Sequence, residues 1–137
     1  MEMINTRNII KLIQNTFPKS QFDVVKEEWI KDIEERYSEL PPNLKYPYNE
    51  LGYGTIGDSH YSIHVLTEPE EIYDPETASE LKGKLIVGDD FGGECQAYDT
   101  ENNWTFGLID SGGDFESYEG VYNDFLDYLQ NLCVDFK

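Results

Sequence analysis

The carboxylates of the second half are the residues whose types and spacing point most directly to chemistry. Asp89, Asp90 and Glu94 flank a Phe91-Gly92-Gly93 turn, Asp99 and Glu101 fall in the next turn, and Asp110, Asp114 and Glu116 surround Ser111-Gly112-Gly113. Alternate turns of a meander lie at the same end of the sheet, so some of these groups are expected to converge. Such a patch would steer and dock a cationic partner. Taken singly, each acid is explained more simply by turn chemistry, since Asp and Gly fill turns for backbone reasons. The ensemble is not: residues 69–137 hold seventeen acids against three bases, a net of −14, whereas residues 1–68 hold eleven against seven, a net of −4. Trp104 and Phe115 are candidate aromatic anchors for a partner, although Trp104 reads better as core.

Other constellations are weaker. His60 and His64 are the two histidines; on a strand, positions i and i+4 face one side, and with Glu68 they would outline a metal or hydrolytic site. The alternative places them on the solvent side of an edge strand. It is preferred, because no further ligand or supporting shell is signalled. Asp90-Phe91-Gly92 spells a kinase metal-binding tripeptide in a chain that lacks the Gly-rich loop, strand lysine and catalytic loop. Asp99, Glu101, Asn103 and Asp110 match calcium-loop positions, yet Trp104 stands where that loop needs glycine. Gly57-Asp58-Ser59-His60 is half a nucleophile elbow without its second glycine. Cys95 and Cys133 form no CxxC pair and read as buried free thiols. No catalytic residue, metal or cofactor is expected.

Composition narrows the partners. The 137 residues (15.9 kDa) suit one domain, and 39% hydrophobic with 14% aromatic residues argues for a packed core despite a mean hydropathy of −0.59. The balance of 10 bases and 28 acids gives −18 and a pI near 4.2. A protein binding nucleic acid directly needs a basic footprint, and an anionic membrane surface would repel this chain. No apolar run is long enough to span a bilayer. The first residues lack the features of a secretory signal, and no lipidation motif ends the chain, so a cytoplasmic location is expected.

The elements that must hold these residues read as helices, then strands, then a helix. Ile9, Ile13 and Phe17 give a short amphipathic helix within residues 3–17, stopped by Pro18. Ser20 is the candidate cap of a second helix with the stripe Phe22, Val25, Trp29, Ile33 and Tyr37; Glu27–Lys31 and Asp32–Arg36 pair on its other face, and Leu40-Pro41-Pro42 ends it. Asn43 to Leu51 suggests a third helix interrupted by Pro47. Tyr61, Ile63 and Val65 alternate as a half-buried strand, Glu68 to Leu81 fits a helical turn or a loop, and Leu85-Ile86-Val87 reads as a strand covered on both faces. Cys95 with Ala97, and Trp104 with Phe106 and Leu108 after an Asp99–Asn103 turn, continue a β-meander. Val121, Phe125, Leu129 and Cys133 stripe a final helix, with Ser117 as its cap candidate and Glu119 in its first turn. The order predicts a single α+β domain, residues 1–137, with N-terminal helices and a C-terminal helix packed on one antiparallel or mixed sheet.

Several of these segments, in this order, resemble the SUKH superfamily, the Smi/Knr-type group of cell-wall-assembly regulators and bacterial immunity proteins. Ile33-Glu34 with Leu40-Pro41 is similar to its "E…LP" opening. Leu51-Gly52-Tyr53-Gly54-Thr55-Ile56 is similar to its glycine-rich step into the first strand. Leu85-Ile86-Val87-Gly88-Asp89-Asp90-Phe91-Gly92-Gly93, followed by Ala97-Tyr98-Asp99, looks like its "ig.D..G" segment, and Phe125-Leu126 resembles its closing "F..FL". The likeness covers most of residues 26–133; the first helix lies outside it, and Pro47 departs from the helix that follows the "LP".

The resemblance implies the same α+β fold, no shared catalytic constellation, and, for bacterial members, an immunity protein that binds and blocks a cognate toxin, often a nuclease. A nuclease holds a polyphosphate in a basic cleft, which an acidic protein can occupy by charge complementarity. The expectation is therefore a non-enzymatic toxin inhibitor, monomer or weak dimer, docking through Asp89, Asp90, Glu94, Asp99, Glu101, Asp110, Asp114 and Glu116. The alternatives are a regulatory scaffold of the Smi/Knr type without a toxin partner, and an enzyme using His60, His64 and Glu68.

Overall fold

In the computed structural model, which describes residues 6–37, 40, 41, 44, 45, 48, 49 and 51–136, seven strands form one sheet. They are β1 (Gln21–Asp23), β2 (Tyr53–Ile56), β3 (Tyr61–Thr67), β4 (Lys84–Asp89), β5 (Cys95–Asp99), β6 (Thr105–Ile109) and β7 (Phe115–Ser117). Each pairs antiparallel with the next, so the sheet is a meander with no parallel pair. The helices are α1 (Thr6–Thr16), α2 (Glu27–Arg36), α3 (Pro75–Glu80) and α4 (Phe125–Phe136), with a 3₁₀ turn at Pro69–Glu71.

The all-apolar run in β4 behaves as its composition predicts: Leu85, Ile86 and Val87 are 0% exposed, covered on both faces. Leu85, Val87, Tyr98 and Phe106 join the larger core with Ile9, Ile13 and Phe17 of the α1 region and Phe125, Leu129 and Cys133 of α4. On the other face Ile86, Cys95, Ala97 and Ile109 pack with Leu81, just beyond α3. Both cysteines are buried thiols, and neither is in a disulfide. A buried polar chain crosses the first core: Tyr61 donates its hydroxyl to Gln96 Oε1, and Gln96 Nε2 donates to Tyr118 at 3.3 Å. Gly88 is required here, since a Cβ on it would stand 2.3 Å from the Tyr61 hydroxyl.

Two helix starts differ from expectation. Phe22 lies in β1, not in a helix: Ser20 donates to the Phe17 carbonyl at 2.7 Å and accepts from Gly57 N at 2.8 Å, so it ties the end of α1 to the β2–β3 turn and caps nothing. The free edge of β2 recruits residues 21–23, and α2 begins at Glu27 without a side-chain cap. Its charged pairs form as expected, Glu27–Lys31 at 3.7 Å and Asp32–Arg36 at 3.0 Å. Ser117 likewise ends β7, its hydroxyl accepting from Glu119 N, while Asp124 caps α4 by accepting from Asp127 N at 2.8 Å. Val121 and Glu119 therefore precede the helix, and Val121 is exposed.

The expected third helix lies partly outside the described residues, as does Pro47; residues 44, 45, 48 and 49 are helical. Leu44 and Tyr48 are buried, and the Tyr48 hydroxyl donates to His64 O and accepts from Leu66 N, bracing an irregularity in β3. The Glu68–Leu81 interval holds both the 3₁₀ turn and α3, the latter capped by Asp74 accepting from Thr77 N. The β5–β6 turn extends through Trp104, which stands before the strand.

Glu68 fastens α2 to the sheet. It accepts from the Tyr37 hydroxyl at 2.6 Å and pairs with Arg36. The Tyr37 hydrogen bond holds its carboxyl below the usual range, burial works against this, and Arg36 reinforces the lowering. Stability from such a group is complete above its unfolded-chain pKa and is lost as pH falls through the lower folded-state value. Glu68→Gln is expected to cost about 1 kcal/mol at neutral pH. It should also shrink the stability loss between about pH 5 and pH 3, read from urea midpoints across that range.

Candidate functional site

The meander sorts the acidic turns. Pairing of Asp89 with Cys95, and of Ile109 with Phe115, puts the β4–β5 and β6–β7 turns at one end of the sheet, together with the β2–β3 turn. Asp89, Asp90, Glu94, Asp110 and Asp114 gather there. Asp99 and Glu101 lie in the β5–β6 turn at the opposite end, where Asp99 pairs with Lys84 at 3.6 Å. Glu116 sits midway along the edge strand β7, opposite Leu108. The structure thus brings five of the eight expected residues together and leaves three apart from them.

The two clustered turns are built alike. In Asp90-Phe91-Gly92-Gly93-Glu94, Asp90 Oδ1 accepts from Gly92 N at 2.7 Å and from Glu94 N at 3.2 Å. In Asp110-Ser111-Gly112-Gly113-Asp114, Asp110 Oδ1 accepts from Gly112 N at 2.9 Å and from Asp114 N at 3.0 Å. Gly93 and Gly113 both take positive φ, +101° and +84°, a region open to glycine at little cost. The turns are neighbours, since a Cβ added at Gly93 would lie 3.5 Å from Ser111 Cβ. Asp90 and Asp110 therefore serve the backbone, whereas the side chains of Glu94, Asp114 and Glu116 accept no hydrogen bond among the described residues and face solvent.

None of the three makes an ion pair among the described residues, although Lys84 lies over the neighbouring Phe115 ring. From Leu85 to Phe136 the sequence contains twelve acids and no Lys, Arg or His. The meander places this run in β4–β7 and α4, and the sequence leaves the bases to the first half, Lys82, Lys84 and the last residue, Lys137. Phe91, at the tip of the first turn, is 54% exposed and has φ +63°. In the sequence it belongs to the Phe91-Gly92-Gly93 turn and to a kinase tripeptide, with no role of its own; its exposure depends on the turn's geometry, which sequence does not show. Behind the turns Tyr122 packs edge to face on Tyr118 (centroids 5.0 Å apart) and on Tyr128, while Tyr118 and Tyr128 stack on each other. Burial raises the phenols of Tyr118 and Tyr128, and the negative field of Asp90 and Glu94 adds to it. Phe115 is half-buried with Lys84 over its ring, and Trp104, also half-buried, packs against Tyr98 at the border of the larger core.

The histidines separate. His64 lies on β3, which is flanked by β2 and β4 and is no edge strand, and its Nε2 pairs with Asp89 Oδ2. His60 stacks on Phe17 in the β2–β3 turn, and Glu68 is held by Tyr37 and Arg36. No three His, Cys, Asp or Glu side chains among the described residues are arranged to share a metal ion. No helix there is long and apolar enough to cross a membrane.

Fold and surface together define an α+β protein in which one half of the sheet, β4–β7, is strongly acidic, with Lys84 at the start of β4 as its base. No family model, curated protein or solved structure matches the chain.

Turn architecture makes a direct prediction. Asp90→Ala removes the acceptor of two backbone N–H groups and is expected to cost about 1 kcal/mol, while Asp90→Asn keeps an acceptor oxygen and costs less. Equal losses in urea unfolding would show that the charge, not the acceptor geometry, holds the turn.

Proposed function

We propose that this chain is an immunity protein that binds and neutralises a cognate basic toxin domain of a bacterial polymorphic or contact-dependent toxin system, with a nuclease as the favoured toxin class. It works by occupancy alone and performs no reaction. The observation that carries the reading is the solvent-facing set of acids without partners, Glu94, Asp114 and Glu116, inside a stretch that holds no base from Leu85 to Phe136. Acids of this kind repel one another and contribute nothing visible to the fold. Against a cleft lined with Lys and Arg they would speed encounter and exclude partners of the wrong charge. The motif order that resembles the SUKH group supports the same reading, and Glu34 gives that likeness a physical content. It accepts from Leu40 N at 2.9 Å and pairs with Lys45 at 3.0 Å, tying α2 to the "LP" step and the helical residues beyond it.

The direct test looks for a basic toxin domain encoded by the neighbouring gene and measures binding to it by calorimetry at two salt concentrations. Glu94→Lys with Asp114→Lys should weaken the complex at least about 100-fold, mainly through slower association, and flatten its salt dependence. Unchanged affinity and unchanged salt dependence would remove the acidic turns from the interface. A neighbouring gene without a toxin, with several cellular partners captured instead, would favour the scaffold reading.

A further inference from the structure

The outer edge of β7 is open. Asp110 N donates to Asp114 O at 2.9 Å and Tyr118 N donates to Phe106 O at 3.0 Å, with Leu108 opposite Glu116 between them. Residues 114, 116 and 118 therefore turn their backbone groups inward to β6. In an antiparallel ladder the alternate residues face the other way. The N–H and C=O of Phe115 and Ser117 accordingly point away from the sheet, and neither residue has a further backbone partner among those described.

Where the edge ends, at Ser117, it runs into a groove of about 430 Å³ walled by Trp104, Phe106, Phe115 and Tyr122, with Glu119 on its lining. The Phe115 ring already has the Lys84 ammonium over it, so Trp104 and Tyr122 beside Glu119 are the aromatic rings of the groove that suit a further guanidinium or ammonium group. Exposed edges are commonly blunted by Lys or Pro; this one carries neither. It has Asp114, Glu116 and Glu119 instead, which repel a second copy of this acidic chain and admit a basic strand. The opposite edge, β1, lies between Lys19 and Lys26 and lacks this selectivity.

From these features we infer that β7 is the docking edge for an extended basic segment of the partner, which pairs with the backbone of Phe115 and Ser117 and lodges one Arg or Lys side chain in the aromatic groove. The inference rests on the basic-partner reading above and adds the mode of contact: main-chain pairing supplies affinity and the groove supplies specificity.

The probe is an end-blocked heptapeptide of alternating arginine and valine, with its glutamate–valine counterpart as control, and the readout is amide hydrogen exchange resolved by residue. The arginine peptide should slow exchange at Phe115 and Ser117 by at least about fivefold, and change the emission of Trp104 in a Trp29→Phe background. The glutamate peptide should do neither. Ser117→Pro, an outward-facing edge position that tolerates proline, should abolish the response, while Ser117→Ala keeps it. Protection confined to residues 90–94 and 110–114 would overturn edge docking and leave the basic-partner reading standing. No response up to about 1 mM peptide, or an equal response to the glutamate peptide, would overturn edge docking outright, with the toxin-affinity experiment judging the wider reading separately.

Discussion

Leu85, Ile86 and Val87 are sealed between two layers, and this double burial of β4 holds the acid-bearing turns in place. A strand with no wet face has its register fixed from both sides, because a slip by one residue would exchange the two sets of side chains between dissimilar cores. On one face stand α1, α4 and a dense aromatic cluster; on the other stand α3, Leu81 and small residues such as Ala97. From β4 the meander propagates register through β5 and β6 to β7. The Asp90–Glu94 and Asp110–Asp114 turns then stand side by side as a geometric result of strand order.

That placement has an electrostatic cost. Twelve acids with no internal base share half of a small domain, and several point into water without a counter-charge. Net charge of one sign keeps a protein soluble but works against its compact state. The sheet's ladder and the apolar contacts around β4 sustain the arrangement, and Asp90 and Asp110 recover part of the cost by accepting backbone N–H groups. Glu94, Asp114 and Glu116 recover nothing within the fold. The proposed docking on a basic partner would give this surface its compensating charge.

Sequence periodicity reached the architecture because its strongest signals come from burial: the apolar run of β4, the alternation in β3, the stripe Phe125, Leu129, Cys133 and the Asp/Gly turns of a meander. It failed where a residue answered to a distant neighbour. Ser20 looks like a cap because it precedes an apolar stripe, but its hydroxyl serves Gly57, thirty-seven positions away. Phe22 has the spacing of a helix face, yet the open edge of β2 takes it. Asp124 outcompetes Ser117 as cap because β7 runs on to Ser117. For the candidate surface, the acids were legible as an ensemble and alternate turns converge as reasoned, but the opposite placement of Asp99 and Glu101 required strand order. Phe91 was hidden because exposure at a turn leaves no trace in periodicity.

The central claim is that the unpartnered acids serve recognition and not the fold. The most direct measurement is the thermal midpoint of the quadruple variant Glu94→Gln, Asp114→Asn, Glu116→Gln, Glu119→Gln against the parent chain, at low ionic strength and again in about 0.5 M salt, where the Debye length is only a few ångströms. Relief of self-repulsion predicts a higher midpoint for the variant at low salt and a difference that vanishes at high salt. A midpoint that falls in the variant at either salt concentration would show that these carboxylates hold the structure together, and would contradict the account.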